Sequence, residues 1–196
     1  MVCARIVSQK GAAPDQISTA VEFLKELGHV QLVLQCDAEP ALKALLDQAQ
    51  RAICQGGNTS TRQVRVRVAS GHASNSNGAA ERGIRTIKGL VRTFASDVEA
   101  RLSGNECRAE DSWKLTPSSG LLDYVLRRVV WVRNMYHVPR KAGKTAYEQH
   151  TGRAYEKNAL RFLKPVQAID DRLGARKAIA GRTHIGAWLG RADKKM

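Results

Sequence analysis

Acidic residues are scarce in this chain, and long apolar runs are missing altogether. The 196 residues contain 18 Asp and Glu against 32 Lys and Arg, which gives a formal net charge of +14. No stretch approaches the roughly eighteen consecutive apolar residues that a membrane-spanning helix needs, and the N-terminus lacks a signal-peptide pattern. We therefore expect an intracellular protein, without a membrane partner, that binds polyanions, of which nucleic acid is the foremost.

Patterns typical of zinc sites are missing as well. No CxxC spacing and no matching pair of histidines accompanies the four cysteines, which are Cys3, Cys36, Cys54 and Cys107. Zinc is therefore not supported, and we expect reduced thiols. We expect structural roles for the isolated histidines His29, His137, His150 and His184.

The length and the composition predict one globular domain with an appendage. The chain is 43% hydrophobic and 26% charged, as in folded rather than disordered proteins, and 196 residues are too few for two large domains. We expect residues 1–140 to form the main domain and residues 141–196 to form an extension with a basic tail. The boundary is expected near residues 141–144.

Hydrophobic periodicity predicts an α/β order of elements. VCARIVSQ predicts a strand, STAVEFLKELG a helix, HVQLVLQCD a buried strand that ends at Asp37, and PALKALLDQAQRAI a second helix. RQVRVRVAS alternates as a half-exposed edge strand does. A polar loop, GHASNSNG, precedes a long helix from about Asn77 to Leu102. Helices are also predicted in LLDYVLRRVVWVRNMYHV and KTAYEQHTGR, before a small β-rich extension.

The long helix carries a single acid, Glu81, near its start, followed by basic residues on the same side. Arg85 lies four residues on, Lys88 seven, and Arg92 one turn further. One interpretation is an ordinary ion pair between Glu81 and Arg85, worth about 0.3–0.5 kcal/mol. The other is a carboxylate that binds a metal ion, with cations behind it that bind nucleic-acid phosphates.

Asp37 supplies a second carboxylate at the end of a predicted strand. Strand ends in α/β sheets face the crevice in which ligands bind. Carboxylate oxygens suit Mg²⁺ or Mn²⁺, and such ions promote cleavage or exchange of phosphodiester bonds. Asp37 and Glu81 are therefore candidate metal ligands.

Two segments, QLVLQCDAEPAL and SNSNGAAERGIRTIKG, together resemble the catalytic core of a retroelement integrase with a ribonuclease-H-like fold. In that family an aspartate closes a strand and a glutamate follows a mobile loop in a motif similar to N-G-x-x-E-R. The matching residues are Asn77, Gly78, Glu81 and Arg82. TAYEQHTGR and GAWLGR resemble the segment after the core in copia-type LTR retrotransposon polyproteins.

The resemblance implies DNA integration by metal-dependent phosphodiester transfer, with Mg²⁺ or Mn²⁺ as cofactor. It implies that Asp37 and Glu81 are the catalytic metal ligands. It also implies DNA as partner, a homo-oligomer when intact, and a nuclear location if the integrase is functional. The residues expected to contact DNA are Asn77, Arg82, Arg85, Lys88 and Arg92.

One residue of the family pattern has no counterpart. The first of its two aspartates lies on a strand upstream of the segment that matches VCARIVSQ, and Asp15, Glu22 and Glu26 are not at that position. We therefore expect a fragment or a decayed copy of an integrase, lacking the first strand of the sheet, marginally stable and with little strand-transfer activity by itself. A non-catalytic nucleic-acid-binding protein and, less favoured, a ribonuclease H remain as alternatives.

Overall fold

The computed structural model describes a mixed α/β protein. It describes residues 1–56, 63–69, 78–103, 114–116, 118–169 and 183–189. The chain divides into two compact units, one of residues 3–89 with Met1 and one of residues 90–196 with Val2. Within these described ranges no helix is long and apolar enough to cross a membrane.

The first unit is built on a pair of parallel strands. Its elements are α1 (Pro14–Glu26), β1 (Gln31–Cys36), α2 (Pro40–Gln55), β2 (Gln63–Val68) and the first half of α3 (Gly78–Ser103). β1 and β2 pair in register from Gln31 opposite Gln63 to Cys36 opposite Val68. Parallel strands need a long crossover connection, and α2 supplies it.

Alternation along the two strands decides which face carries the core. One face of the pair packs against α1 and α2, and the buried side chains there are Val21, Leu24, Ala49, Ile53 and Val64. The Gln50 side-chain amide on α2 donates a 2.6 Å hydrogen bond to the Val64 carbonyl. On the opposite face Val33 is 66% exposed, and Arg65 and Arg67 are exposed as well. The predicted half-exposed strand is therefore confirmed as β2.

The predicted first strand, VCARIVSQ, does not form. Residues 1–7 have no regular secondary structure, and among the described residues the sheet of β1 and β2 contains no third strand. At Val2 the side chain of Asn134 takes the place of a ladder partner. Its amide donates to the Val2 carbonyl at 2.8 Å, and its oxygen accepts from the Val2 amide at 2.9 Å.

The second unit combines helices with a separate antiparallel pair. It contains the rest of α3, then α4 (Gly120–Tyr136), α5 (Ala146–Thr151), β3 (Pro165–Ile169) and β4 (Thr183–Ala187). Strands β3 and β4 pair antiparallel. The Ser119 and Thr145 hydroxyls cap α4 and α5. The most buried apolar side chains here are Val98, Val125, Val129 and Phe162.

Arginines hold the corner that precedes β3. Arg128, buried on α4, donates to the Leu160 carbonyl, and Arg101 on α3 donates to the Phe162 carbonyl at 2.6 Å. Asp97 pairs with both Arg101 and Arg161. Burial lowers the pKa of Arg128, and its guanidinium lies 4.4 Å from the centroid of the Trp131 ring.

Most predicted helices are confirmed, with two qualifications on the long one. α3 begins at Gly78 and ends at Ser103, each within one residue of the predicted bounds at Asn77 and Leu102. Its apolar stripe is buried at Ile87 and Val98, but Ile84 is 56% exposed and Leu102 is 48% exposed, because no described element covers those turns. The GHASNSNG loop, apart from Gly78, lies outside the described residues. The boundary near residues 141–144 stays a prediction.

Replacing Ile53 by alanine tests the core of the first unit. Ile53 is 2% exposed, so we expect Ile53→Ala to lower the free energy of unfolding by about 2–5 kcal/mol. The matched control is Ile84→Ala on an exposed turn, which we expect to change it by less than about 0.5 kcal/mol. Urea unfolding followed by circular dichroism measures both. Equal losses would show that α1, α2 and β2 do not form the core described.

Candidate nucleic-acid interface

The first turns of α3 place one carboxylate and three cations on one side of the helix. Glu81 lies in the first turn, where the positive end of the helix dipole favours a negative charge. At about 100° per residue, Glu81, Arg82, Arg85 and Lys88 fall within an arc of about 120°. All four are exposed. Asn77, the other predicted residue of this motif, lies outside the described residues.

The cations of this group form no ion pairs with the part of the chain that the structure describes. In particular, the expected pair between Glu81 and Arg85 is absent from the described ion pairs. The same spacing does produce a pair elsewhere, with 2.8 Å between Asp123 and Arg127. The ion-pair interpretation of Glu81 is therefore wrong in this structure, and the cationic charges remain available to a ligand. We call Arg82, Arg85 and Lys88 the α3 row.

Local contacts orient the start of this row. A Cβ placed on Gly78 would lie 3.8 Å from Arg82 Nη1, so the guanidinium folds back toward the beginning of the helix. Ile87, 8% exposed, anchors the opposite side of α3. Arg92, the last predicted DNA contact, is also exposed but belongs to the second unit.

Asp37 lies where the sequence predicts it, directly after β1, and it is exposed. The ladder closes beside it through a 2.8 Å hydrogen bond from the Ala69 amide to the Cys36 carbonyl. Burial, followed by the charges of Asp37 and Asp47, raises the pKa of the Cys36 thiol, while Lys43 acts in the opposite direction. Both carboxylates therefore lie near this strand end.

Asp47 was missed by sequence reasoning, because on α2 it looks like an ordinary polar position between apolar ones. The sequence indicates the position of Asp47 in one way: α2 follows β1 directly and returns along the sheet. Glu39, which the sequence also places near Asp37, forms a 3.0 Å ion pair with Lys10. The Glu39 carboxylate, directly before α2, is therefore bound by Lys10.

Asp37 and Glu81 both belong to the first unit, on separate elements. Among the described residues no group of three or more His, Cys, Asp or Glu side chains is arranged to hold a metal ion. Glu81 forms no ion pair with any of them. The two-carboxylate site stays a prediction, whereas the exposed α3 row beside Glu81 is a feature of the structure.

The chain matches few known proteins. No family model matches the chain, and no curated protein does. Among solved structures, it is similar to a chain in the cryo-EM structure of a simian T-cell lymphotropic virus intasome in complex with PP2A regulatory subunit B56 gamma. The TM-score is 0.48 at 18% identity, and the match covers 83% of this chain and 47% of that chain. The chain spans about half the length of that chain, and a likeness of this degree assigns neither family nor activity.

The environment of Cys36 predicts its reactivity. Because burial favours the neutral thiol, we expect Cys36 to react with iodoacetamide at pH 8 much more slowly than the exposed Cys54. The raised pKa also means that stability contributed by the protonated thiol is present at neutral pH and lost as pH rises past the ordinary thiol range. Peptide mass spectrometry after timed labelling measures each site. We expect the difference between the two sites to vanish only in urea. Equal rates in the folded chain would contradict this placement of β1.

Proposed function

We propose that this chain is part of a DNA-integrating enzyme of the retroelement integrase type, in which α3 binds the phosphate backbone of DNA. The observation that carries the proposal is the α3 row, three exposed cations with no ion-pair partner among the described residues, next to the exposed Glu81. The resemblance of the surrounding N-G-x-x-E-R-like motif to a retroelement integrase core supports it. In this proposal DNA is the partner and the intact enzyme is a homo-oligomer.

The geometry of the row suits a nucleic-acid backbone. From Arg82 to Lys88 the helix advances about 9 Å, at about 1.5 Å per residue. One strand of duplex DNA advances about 3.4 Å per nucleotide, so the row matches a short stretch of successive phosphates. Arginine and lysine binding to phosphate is largely independent of sequence, so the row would position DNA rather than select a base sequence.

Asp37 and Glu81 supply the donor set of the proposed metal site. Carboxylate oxygens are hard ligands that suit Mg²⁺, which proteins often hold through only one or two carboxylates together with substrate phosphates. When bound, such an ion would activate water or a 3′-hydroxyl for attack on phosphorus. The chain's own contribution would be to hold the ion at Asp37 and Glu81 and to hold the DNA at the α3 row.

Removing two cations of the row tests the DNA contact. We expect Arg85→Ala combined with Lys88→Ala to weaken binding to a labelled DNA duplex. The slope of log affinity against log salt concentration should become shallower by about 2, because each lost phosphate contact removes about 0.9. The matched control is Lys25→Ala with Arg51→Ala, which removes two exposed cations from α1 and α2. Fluorescence anisotropy at several salt concentrations measures both. Equal effects of the two variants would show that DNA binding depends on the net charge of the protein and not on the position of the α3 row.

Neutralising the carboxylates of Asp37 and Glu81 distinguishes an integrase core from a non-catalytic nucleic-acid-binding protein. We expect Asp37→Asn and Glu81→Gln each to remove the part of DNA binding that Mg²⁺ enhances, while binding in EDTA persists. If Mg²⁺ affects the variants and the parent chain alike, the non-catalytic nucleic-acid-binding protein is the better assignment. Titration of Mg²⁺ at fixed ionic strength in the anisotropy assay distinguishes the two.

Strand transfer itself is expected to be weak. Two carboxylates without the third of the family pattern should give little joining of a labelled DNA end to a target duplex. A gel assay in Mg²⁺ measures the joined product. Robust joining that Glu81→Gln abolishes would show that the third carboxylate is supplied by a residue other than the one the family pattern requires.

A further inference from the structure

Four aromatic rings from α4, α5 and the segment after α5 pack together near the C-terminal end of α4. Trp131 and Tyr136 on α4 each contact Tyr155, with ring centroids 5.6 Å apart in both cases. Tyr147 on α5 contacts the same ring at 5.5 Å. All these pairs are edge-to-face, an arrangement that stabilises aromatic packing. The cluster therefore fixes α5 and the segment after it against the end of α4.

Hydrogen bonds also hold the segments of this region together. The Tyr136 hydroxyl donates to the Lys157 carbonyl at 2.5 Å. The Thr145 hydroxyl accepts from the Glu148 amide at 3.0 Å and so caps α5. The Gly152 residue ends α5 with a φ of 73°, in the left-handed region that glycine favours. Residues 137–157 are thus held in a defined shape by contacts within the second unit.

Basic side chains are numerous in the segment that this framework holds. Residues 137–157 contain five Lys and Arg against two Glu. All five cations are exposed, and none pairs with an acid in the part of the chain that the structure describes. We call these five residues the α4–α5 patch: Arg140, Lys141, Lys144, Arg153 and Lys157.

The arrangement favours phosphates over bases as the ligand. A single-stranded binder offers exposed ring faces on which bases stack, but here the rings pack against one another and Trp131 is further covered by Arg128. Of the four rings Tyr136 is 37% exposed and the other three are half-buried. The rings therefore serve mainly as the framework, and the ammonium and guanidinium cations are the main exposed groups. A backbone framework that is already folded does not have to be ordered at the moment of binding, which favours affinity.

We propose that the α4–α5 patch is a second binding surface for nucleic-acid backbone, carried by the second unit, whereas the α3 row belongs to the first. It contacts phosphates without reading base sequence, and it accepts duplex DNA. It lies wholly in the second unit, so it does not depend on Glu81, on Asp37 or on the metal chemistry proposed for them. An anionic lipid surface would be attracted by the same charges, and the experiment distinguishes the two ligands.

The test compares two triple variants of the full chain. The patch variant is Lys141→Gln, Lys144→Gln and Lys157→Gln, which removes three charges and leaves all four aromatic rings in place. The matched control removes three exposed cations from α1 and α2 by Lys25→Gln, Lys43→Gln and Arg51→Gln. Circular dichroism checks the fold of each. Anisotropy with a duplex and with a single strand, and sedimentation with phosphatidylserine vesicles, measure binding.

We expect the patch variant to reduce the salt slope for the duplex by about 2–3, at about 0.9 per phosphate contact, and the control to leave it close to that of the parent chain. The reduction should add to that of the Arg85→Ala and Lys88→Ala pair. If that pair has no effect while the patch variant does, the patch stands and the function proposed for α3 fails.

Three results would overturn the proposal. The first is an equal change in slope for the patch variant and the control, which would attribute binding to net charge. The second is a loss of vesicle binding with duplex binding unchanged, which would assign the patch to lipid. The third is a loss confined to the single strand, which would mean that bases rather than phosphates are contacted.

Discussion

The parallel pairing of β1 with β2 is the constraint on which the first unit depends. Parallel neighbours cannot be joined by a tight turn, so α2 must cross from the end of one strand to the start of the other. That crossover buries Ala49 and Ile53 against Val64. It also means that both strands finish at the same edge of the pair, where Cys36 and Val68 are opposite each other. Asp37 is at this edge because the chain must leave the ladder there.

A shortage of acids shapes the surface. With a net charge of +14, many cations must remain without partners, and the positions of the few acids decide which ones. Asp97 binds both Arg101 and Arg161, and Asp123 binds Arg127. The Asp97–Arg161 pair joins α3 to the segment before β3, and the Asp123–Arg127 pair lies within α4. The α3 row and the α4–α5 patch receive no such acid, so their charge faces solvent and any polyanion in it.

Arginines therefore serve two distinct purposes in this chain. Arg128 is buried, donates to a backbone carbonyl and covers a Trp131 ring, so it acts as part of the core despite its charge. Arg85 is exposed and without an ion-pair partner among the described residues. Composition cannot separate the two kinds, since both count equally toward the net charge. Arg128 contributes to the packing of the second unit, whereas the charge of Arg85 is exposed to solvent.

The sequence by itself determined the helices, the alternation of β2 and the position of Asp37 after a strand, because these follow from local periodicity and from glycine and proline signals. It also determined that Glu81 and the α3 row share one side of a helix. Tertiary structure decided what periodicity cannot: that residues 1–7 lack a ladder partner and that Asn134 holds Val2 instead. It likewise decided that Glu81 does not pair with Arg85 and that four aromatic residues from α4, α5 and the segment after α5 meet. Each of these depends on which groups are brought together across the fold, and spacing along the chain carries no information about that.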